Sequence, residues 1–163
     1  MRMNAQRGAV LIVSLVFLML LTLLATSSMQ NATLQEKVAG TLMLRNASFQ
    51  SAETALRTAE ADLMAPAFSL PACTSPASCL PPPEALTLSA TSAGVASGVD
   101  WVATRSGFYG IQHIGQTDQP AGGSDGQIRT LYRVTAVGLA GDSRTVLESI
   151  HTRERRVMWR QRQ

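Results

Sequence analysis

The stretch QRGAVLIVSLVFLMLLTLLATSS, residues 6–28, places one arginine and one glycine directly before a long apolar run. From Ala9 to Ala25 every residue is apolar except one serine and one threonine. A helix needs about 20 such residues to cross the hydrocarbon core of a bilayer, whereas the apolar region of a secretory signal peptide has about 7–15. The length therefore favours a retained membrane anchor over residues 9–28. Small residues after the run leave ordinary signal cleavage as the alternative.

The charges around this run indicate its orientation. Arg2 and Arg7 precede it, and no further charge appears before Glu36. Because positively charged flanks of a membrane segment stay in the cytoplasm, we expect residues 1–8 to be cytoplasmic and the chain after the run to be exported.

The chain after the run continues a helical pattern until Pro66, which ends it. Across residues 34–63 the apolar side chains recur at intervals of three, four or seven, as on one face of an α-helix. They are Leu34, Val38, Leu42, Phe49, Ala52, Leu56, Ala59 and Leu63. We therefore expect one long helix with a transmembrane first half, 9–28, and an amphipathic second half, 29–65.

A break in this helix is the alternative. Four of the five residues 27–31 are polar, and Thr33 and Glu36 have the spacing of a capping box that would start a second helix.

Residues 66–97 are rich in proline, serine and alanine, and this composition predicts a surface loop. The chain has two cysteines, Cys73 and Cys79, and both lie in this loop. In an exported domain they are most simply explained as a disulfide. Free thiols are a second interpretation. A metal site is a third, but only His113 and His151 could add nitrogen ligands.

Residues 98–152 contain four runs with the alternation of β-strands, separated by short turns. A longer loop, 115–127, lies between the second and third runs. We expect an antiparallel sheet with one face on the amphipathic part of the helix, which makes the fold class α+β.

Residues 153–163 form a basic tail with five arginines and one glutamate, a charge of +4. The segment 9–152 then carries a net charge of −3. The basic character of the chain is therefore a property of its tail rather than of a nucleic-acid-binding surface. We interpret the tail as a solvated end or as a docking strip for an acidic partner. The residues of that strip would be Arg153, Arg155, Arg156, Trp159 and Arg160.

Enzymatic activity is not expected. The GGSDG sequence at 122–126 has the spacing of a nucleophile elbow around Ser124, but it lacks the strand before and the helix after that the motif requires. Asp118 and Asp125 could hold calcium, although the loop lacks the spacing of a dedicated calcium motif. No cofactor or metal is predicted.

The N-terminal third resembles the minor pilins of type IV pili, and among them the PilX type. The resemblance rests on Arg7-Gly8 before the apolar run, on LTLLATSSMQ at 21–30, on LQEKVAG at 34–40 and on RNASFQSAETALRTAE at 45–60. A second similar block is LYRVTAVGLAGDSRTVLES at 131–149.

The resemblance implies a processed membrane precursor. In that family a prepilin peptidase cuts after the glycine and methylates the new terminus, here Gly8 and Ala9. The subunit then resides in the bacterial inner membrane with its C-terminal domain in the periplasm, and later in the pilus. Its implied partners are the major pilin, other minor pilins, the inner-membrane assembly platform and a non-pilin tip adhesin.

One position departs from the family pattern. Most pilins carry a glutamate at the fifth mature residue, which neutralises the terminal amine of a neighbour, but here that residue is Val13. An unpaired charge in hydrocarbon is costly, so Val13 indicates a place at or near the pilus tip. The resemblance then implies a role in priming assembly and in pilus-dependent adhesion and twitching motility.

Two alternatives of other classes remain. A K-type pseudopilin that initiates a type II secretion pseudopilus also lacks the glutamate, but that kind usually carries a larger domain than the roughly 98 residues left here. A membrane-anchored exported binding protein with a similar N-terminus is the second alternative.

Overall fold

The computed structural model describes residues 4–89, 97–119 and 126–162, and within the first helix it describes side chains from Ala9 onward. The chain divides into two compact units at residues 42 and 43. The helices are α1, Asn4–Met64; α2, Pro76–Cys79; and a 3₁₀ helix, Pro83–Leu86. The strands are β1, Val102–Thr104; β2, Gly107–Thr117; β3, Arg129–Ala140; β4, Ser143–His151; and β5, Arg156–Arg162.

Helix α1 is helical across residues 27–31, so the interpretation with two helices is wrong. The Thr33 hydroxyl does not cap a new helix. It donates to the main-chain oxygens of Met29 and Gln30 within the same helix. The predicted end at residue 65 agrees with the observed end at Met64 to within one residue.

The second unit contains the C-terminal part of α1 packed on a sheet, so the predicted α+β fold is confirmed. In this unit Ala52, Leu56, Ala59 and Leu63 of the predicted apolar stripe are fully buried. In the first unit the same stripe is exposed at Leu34, Val38 and Leu42.

The sheet is a five-stranded antiparallel meander in the order β1-β2-β3-β4-β5. The predicted end of the sheet at residue 152 is wrong, because β5 adds a strand from the basic tail. Its residues pair with β4 from Val146↔Arg162 to His151↔Arg156. The tail can form a strand because its arginines meet carboxylates on other elements, as described below.

Both faces of the sheet are covered. On β3, Tyr132, Val134 and Ala136 alternate on the face toward α1, and these residues join the core with Leu147 of β4. A second core lies on the opposite face, formed by Ala85, Leu88, Val99, Trp101, Phe108, Val137 and Val146. Residues 66–97 were predicted as an irregular loop. They include α2 and the 3₁₀ helix, and they cover the sheet because Ala85 and Leu88 are buried there.

A glycine sets how closely α1 lies on the sheet. A Cβ atom at Gly138 of β3 would overlap the main-chain oxygen of Ser48 and the main-chain nitrogen of Ala52. The Ser48 hydroxyl also hydrogen-bonds the hydroxyls of Thr145 (2.9 Å) and Ser143 (3.1 Å) on β4. The helix backbone is therefore in direct contact with the strands at this point.

Candidate functional site

The predicted processing junction lies inside α1, which begins at Asn4. Gly8 is part of this helix, and Ala9 is exposed. The junction therefore lies directly before the apolar run, and its cleavage stays a prediction.

The apolar run presents its side chains outward along its whole length. Every residue from Ala9 to Ala25 is exposed, and this helix is long and apolar enough to cross a membrane by length and composition. Its two polar side chains are satisfied internally: the Ser14 hydroxyl donates to Leu11 O at 2.9 Å, and the Thr22 hydroxyl donates to Met19 O at 2.8 Å. Because no side-chain donor in the run needs water, the surface is compatible with hydrocarbon.

Val13 belongs to this exposed surface, with 55% of its area accessible. It lies one helical turn after Ala9, and the sequence has no acidic residue before Glu36. The run therefore offers an isopropyl group where a carboxylate would be needed to pair with an amine.

The two cysteines are bonded to each other, as predicted. The Cys73–Cys79 bridge closes a loop in which Ser75 caps α2 through its bond to Ser78 N. Side chains of the sheet hold the main chain of this region in place. Arg133 donates to Cys79 O at 2.7 Å, and Gln112 donates to Ser78 O at 2.7 Å.

Loss of the bridge should destabilise the second unit moderately. Closing a loop this short stabilises a protein by about 2 kcal/mol in the chain-entropy model. The double variant Cys73→Ser/Cys79→Ser should therefore unfold at a lower urea concentration, and reductant should shift the wild type but not the variant. Rapid alkylation of both cysteines in native protein without reductant would contradict the bridge.

Arg156 of the predicted docking strip pairs with Glu60 of α1. The Glu60 carboxylate accepts from Arg156 Nη2 at 2.6 and 2.8 Å and from Arg156 Nε at 3.0 Å. It also accepts from Nε2 of His151, a side chain that is 1% exposed, at 2.8 Å. This cluster connects α1, β4 and β5.

The pKa of His151 lies below its ordinary value of 6.5 because burial disfavours the charged ring, although the nearby Glu60 carboxylate partly opposes this effect. The adjacent Arg156 lowers it further. Neutral His151 donates from Nε2 to Glu60, and its buried Nδ1 has no hydrogen-bond partner among the described residues.

This burial predicts a pH dependence. A histidine whose folded pKa is depressed takes up its proton more readily when unfolded, so its contribution to stability is present above about pH 6.5 and is lost as the pH falls below it. We expect the free energy of unfolding, measured by urea titration, to fall between pH 7.5 and 5.5, by at most about 1.4 kcal/mol per pH unit for one proton. His151→Gln should flatten this dependence, whereas His113→Gln should leave it in place. An equal slope in His151→Gln and wild type would contradict the assignment.

Arg160 points to the opposite face of the sheet, where it pairs with Glu148. That carboxylate is 1% exposed and lies 2.8 Å from Arg160 Nη2 and 3.4 Å from Arg133 Nε. Arg162 Nη1 approaches it at 3.8 Å and donates to Pro82 O at 3.0 Å. Three arginines thus surround one buried carboxylate.

The remaining strip residues lie apart. Trp159 is 43% exposed and meets Phe49 of α1 edge to face at 6.4 Å between ring centroids. Arg153 donates to Phe68 O at 2.5 Å, and Arg155 O accepts from the main-chain nitrogen of residue 152 at 3.0 Å. Arg156 and Arg160 therefore pair with carboxylates on opposite faces of the sheet, and docking through the five residues stays a prediction.

The sequence reasoning missed the two carboxylates that receive these arginines. A signal was present at both positions. Glu60 directly follows Ala59 of the apolar stripe, and Glu148 lies among apolar residues of a predicted strand. Acidic residues in such places are rarely buried without a counter-ion.

The candidate metal and hydrolase residues receive no support from geometry. Among the described residues no group of three or more histidine, cysteine or acidic side chains could hold a metal ion. Asp118 is described, whereas Asp125 and Ser124 lie outside the described residues.

The segment that carries the processing junction, the exposed run and Val13 also has a family match. Residues 7–57 match the family model described as PilX N-terminal. This segment is similar to PilX N-terminal domains. The match supports a minor pilin of type IV pili, a class of structural pilus component that interacts with other pilins and with the pilus machinery.

The matched segment ends within the second unit, so the match covers the junction and the apolar run but not the sheet. No curated protein and no solved structure matches the chain. The exposed apolar helix of this matched segment fits a membrane-anchored pilin.

Proposed function

We propose that this protein is a minor pilin that helps to prime type IV pilus assembly and occupies a place at or near the pilus tip. The observation that carries the proposal is Val13 on the exposed apolar surface of a segment similar to PilX N-terminal domains. The first charged residue after the leader is Glu36, so nothing in the run compensates for the missing carboxylate.

The charge balance of stacked helices explains the placement. After cleavage between Gly8 and Ala9, the methylated amine of Ala9 enters an apolar environment and needs a counter-ion. A subunit added below can supply a glutamate, but Val13 cannot neutralise the amine of a subunit above. Insertion in the filament body would leave one amine unpaired, at a cost of several kcal/mol. A cost of about 3 kcal/mol already lowers occupancy more than a hundredfold.

The proposed steps of processing and assembly follow from this mechanism. The precursor is held in the inner membrane with its sheet domain in the periplasm, where prepilin peptidase removes residues 1–8. The mature subunit joins other minor pilins on the assembly platform, and the major pilin adds below them. At the tip, its sheet domain is available to a non-pilin adhesin, and through this role it supports adhesion and twitching motility.

A charge introduced at residue 13 tests the placement. Immunogold labelling of wild-type pili should mark tips, and Val13→Glu should spread the label along the filaments, because the new carboxylate can neutralise a subunit above. Val16→Glu is the matched control: it adds the same charge to the run at another position and should not create body placement. Even labelling of wild-type filaments would contradict the tip assignment.

A K-type pseudopilin is the second candidate, since Val13 suits an initiator of either kind of filament. Gene deletion separates the two. Loss of surface pili with normal synthesis of the major pilin supports the pilus assignment, and loss of protein secretion with normal pili supports the pseudopilus.

A further inference from the structure

A cavity of about 680 Å³ opens in the second unit between the end of α1, the disulfide loop and β2. This volume lies within the roughly 300–1,000 Å³ of pockets that hold small organic ligands. Its wall is mainly apolar, with Phe68 and Ile111 on opposite elements. None of the features that support the proposed function uses it.

The cavity has a rigid wall. The Cys73–Cys79 bridge and the bond from Cys73 N to His113 O, at 3.0 Å, fix the loop against β2. Gln112 of β2, which is buried, holds the same loop through Ser78 O and Leu80 O. A wall tied by covalent and main-chain contacts is preformed, which lowers the ordering cost of binding.

The charges on the wall have one sign. The described lining residues include two carboxylates, Asp62 and Asp100, and neither lysine nor arginine. The Tyr109 hydroxyl donates to Asp62, and burial together with this carboxylate raises the pKa of Tyr109 to about 12. The phenol therefore keeps its proton and orients the Asp62 carboxylate.

One described cation, Arg153, contacts the wall from outside the lining. Its guanidinium donates to the main-chain oxygens of Ala65 and Phe68 rather than to either of the two carboxylates. The cavity therefore combines an apolar wall with acidic side chains that can still receive a cation.

We propose that this cavity binds a segment of a partner polypeptide in which an aromatic or aliphatic side chain stands next to a lysine or arginine. The apolar side chain would pack on Phe68 and Ile111, and the cation would face Asp62 and Asp100. The site is independent of the tip assignment and does not require Val13.

The test uses the full-length protein in lipid nanodiscs and the blocked dipeptide acetyl-Phe-Arg-amide in isothermal titration. We expect saturable binding that weakens by about fivefold in Asp62→Asn and in Asp100→Asn, the loss typical of an exposed ion pair. Asp142→Asn, which removes a carboxylate that does not line the cavity, is the matched control and should bind as the wild type does. Ala67→Trp should fill the cavity and abolish binding.

Neutral, acidic and free-amine probes complete the experiment. Acetyl-Phe-Gln-amide and acetyl-Phe-Glu-amide should bind more weakly than the arginine dipeptide, and phenethylammonium should bind more weakly as well. Equal affinity for the three dipeptides, no saturable binding of acetyl-Phe-Arg-amide, or retained binding in Ala67→Trp would overturn the proposal. If phenethylammonium bound and acetyl-Phe-Arg-amide did not, the assignment of a polypeptide partner would be overturned.

Discussion

Gly138→Ala should unfold the second unit at a markedly lower denaturant concentration than the wild type. The added methyl group would overlap main-chain atoms of Ser48 and Ala52, which belong to α1 and cannot rotate away as a side chain can. Overpacking of this kind costs about 3 kcal/mol when the backbone must shift. Separation of α1 from β3 would also weaken the bonds of Ser48 to Thr145.

The matched control for this change is Gly40→Ala. Gly40 lies within the same helix, and a Cβ atom there would meet no described atom within 4 Å. Alanine at a helical site favours the helix by about 1 kcal/mol over glycine, so the control should not lower the urea midpoint. Equal midpoints for Gly138→Ala and wild type would show that the helix does not pack on the sheet as closely as described.

Gly8→Leu should stop maturation almost completely. The side chain of the residue before the cut must be small in the processing that we propose, and leucine would extend the apolar run toward Arg7 without adding charge. The full precursor should stay in the membrane fraction and be absent from sheared pili. N-terminal sequencing and intact mass would detect both species.

The control for this variant is Ala5→Leu, which adds the same bulk within the leader and away from the junction. It should be processed normally, giving a mature chain that starts at N-methyl-Ala9. A mature chain that starts near Ser28 in the wild type would indicate ordinary signal cleavage and would overturn the pilin assignment.

The fold of α1 and its buried stripe could be predicted because periodicity is a local property. The positions Ala52, Leu56, Ala59 and Leu63 repeat at helical spacing, and all four are buried. The same periodicity gave no way to distinguish them from Leu34 or Val38, which are exposed. That difference depends on where the sheet lies, and the sheet is formed by residues far along the chain.

The fifth strand could not be predicted because its stability depends on distant charges. The sequence of the tail alone predicts that the arginines of β5 are exposed to solvent. Their counter-ions are Glu60, 96 residues before Arg156, and Glu148, 12 residues before Arg160. The disulfide was easier to predict, since a chain with two cysteines allows a single intramolecular pairing.

The late position of β5 has a consequence for the order of folding during synthesis. Glu60 is made before Arg156, the arginine that neutralises it, and a largely buried carboxylate without its partner is strongly unfavourable. A nascent chain that ends before residue 156 would have the helix and four strands but would lack the arginine that pairs with Glu60, so its core could not close stably around this carboxylate. The domain should therefore remain open to chaperones and proteases until its last strand emerges, and then close in one cooperative step.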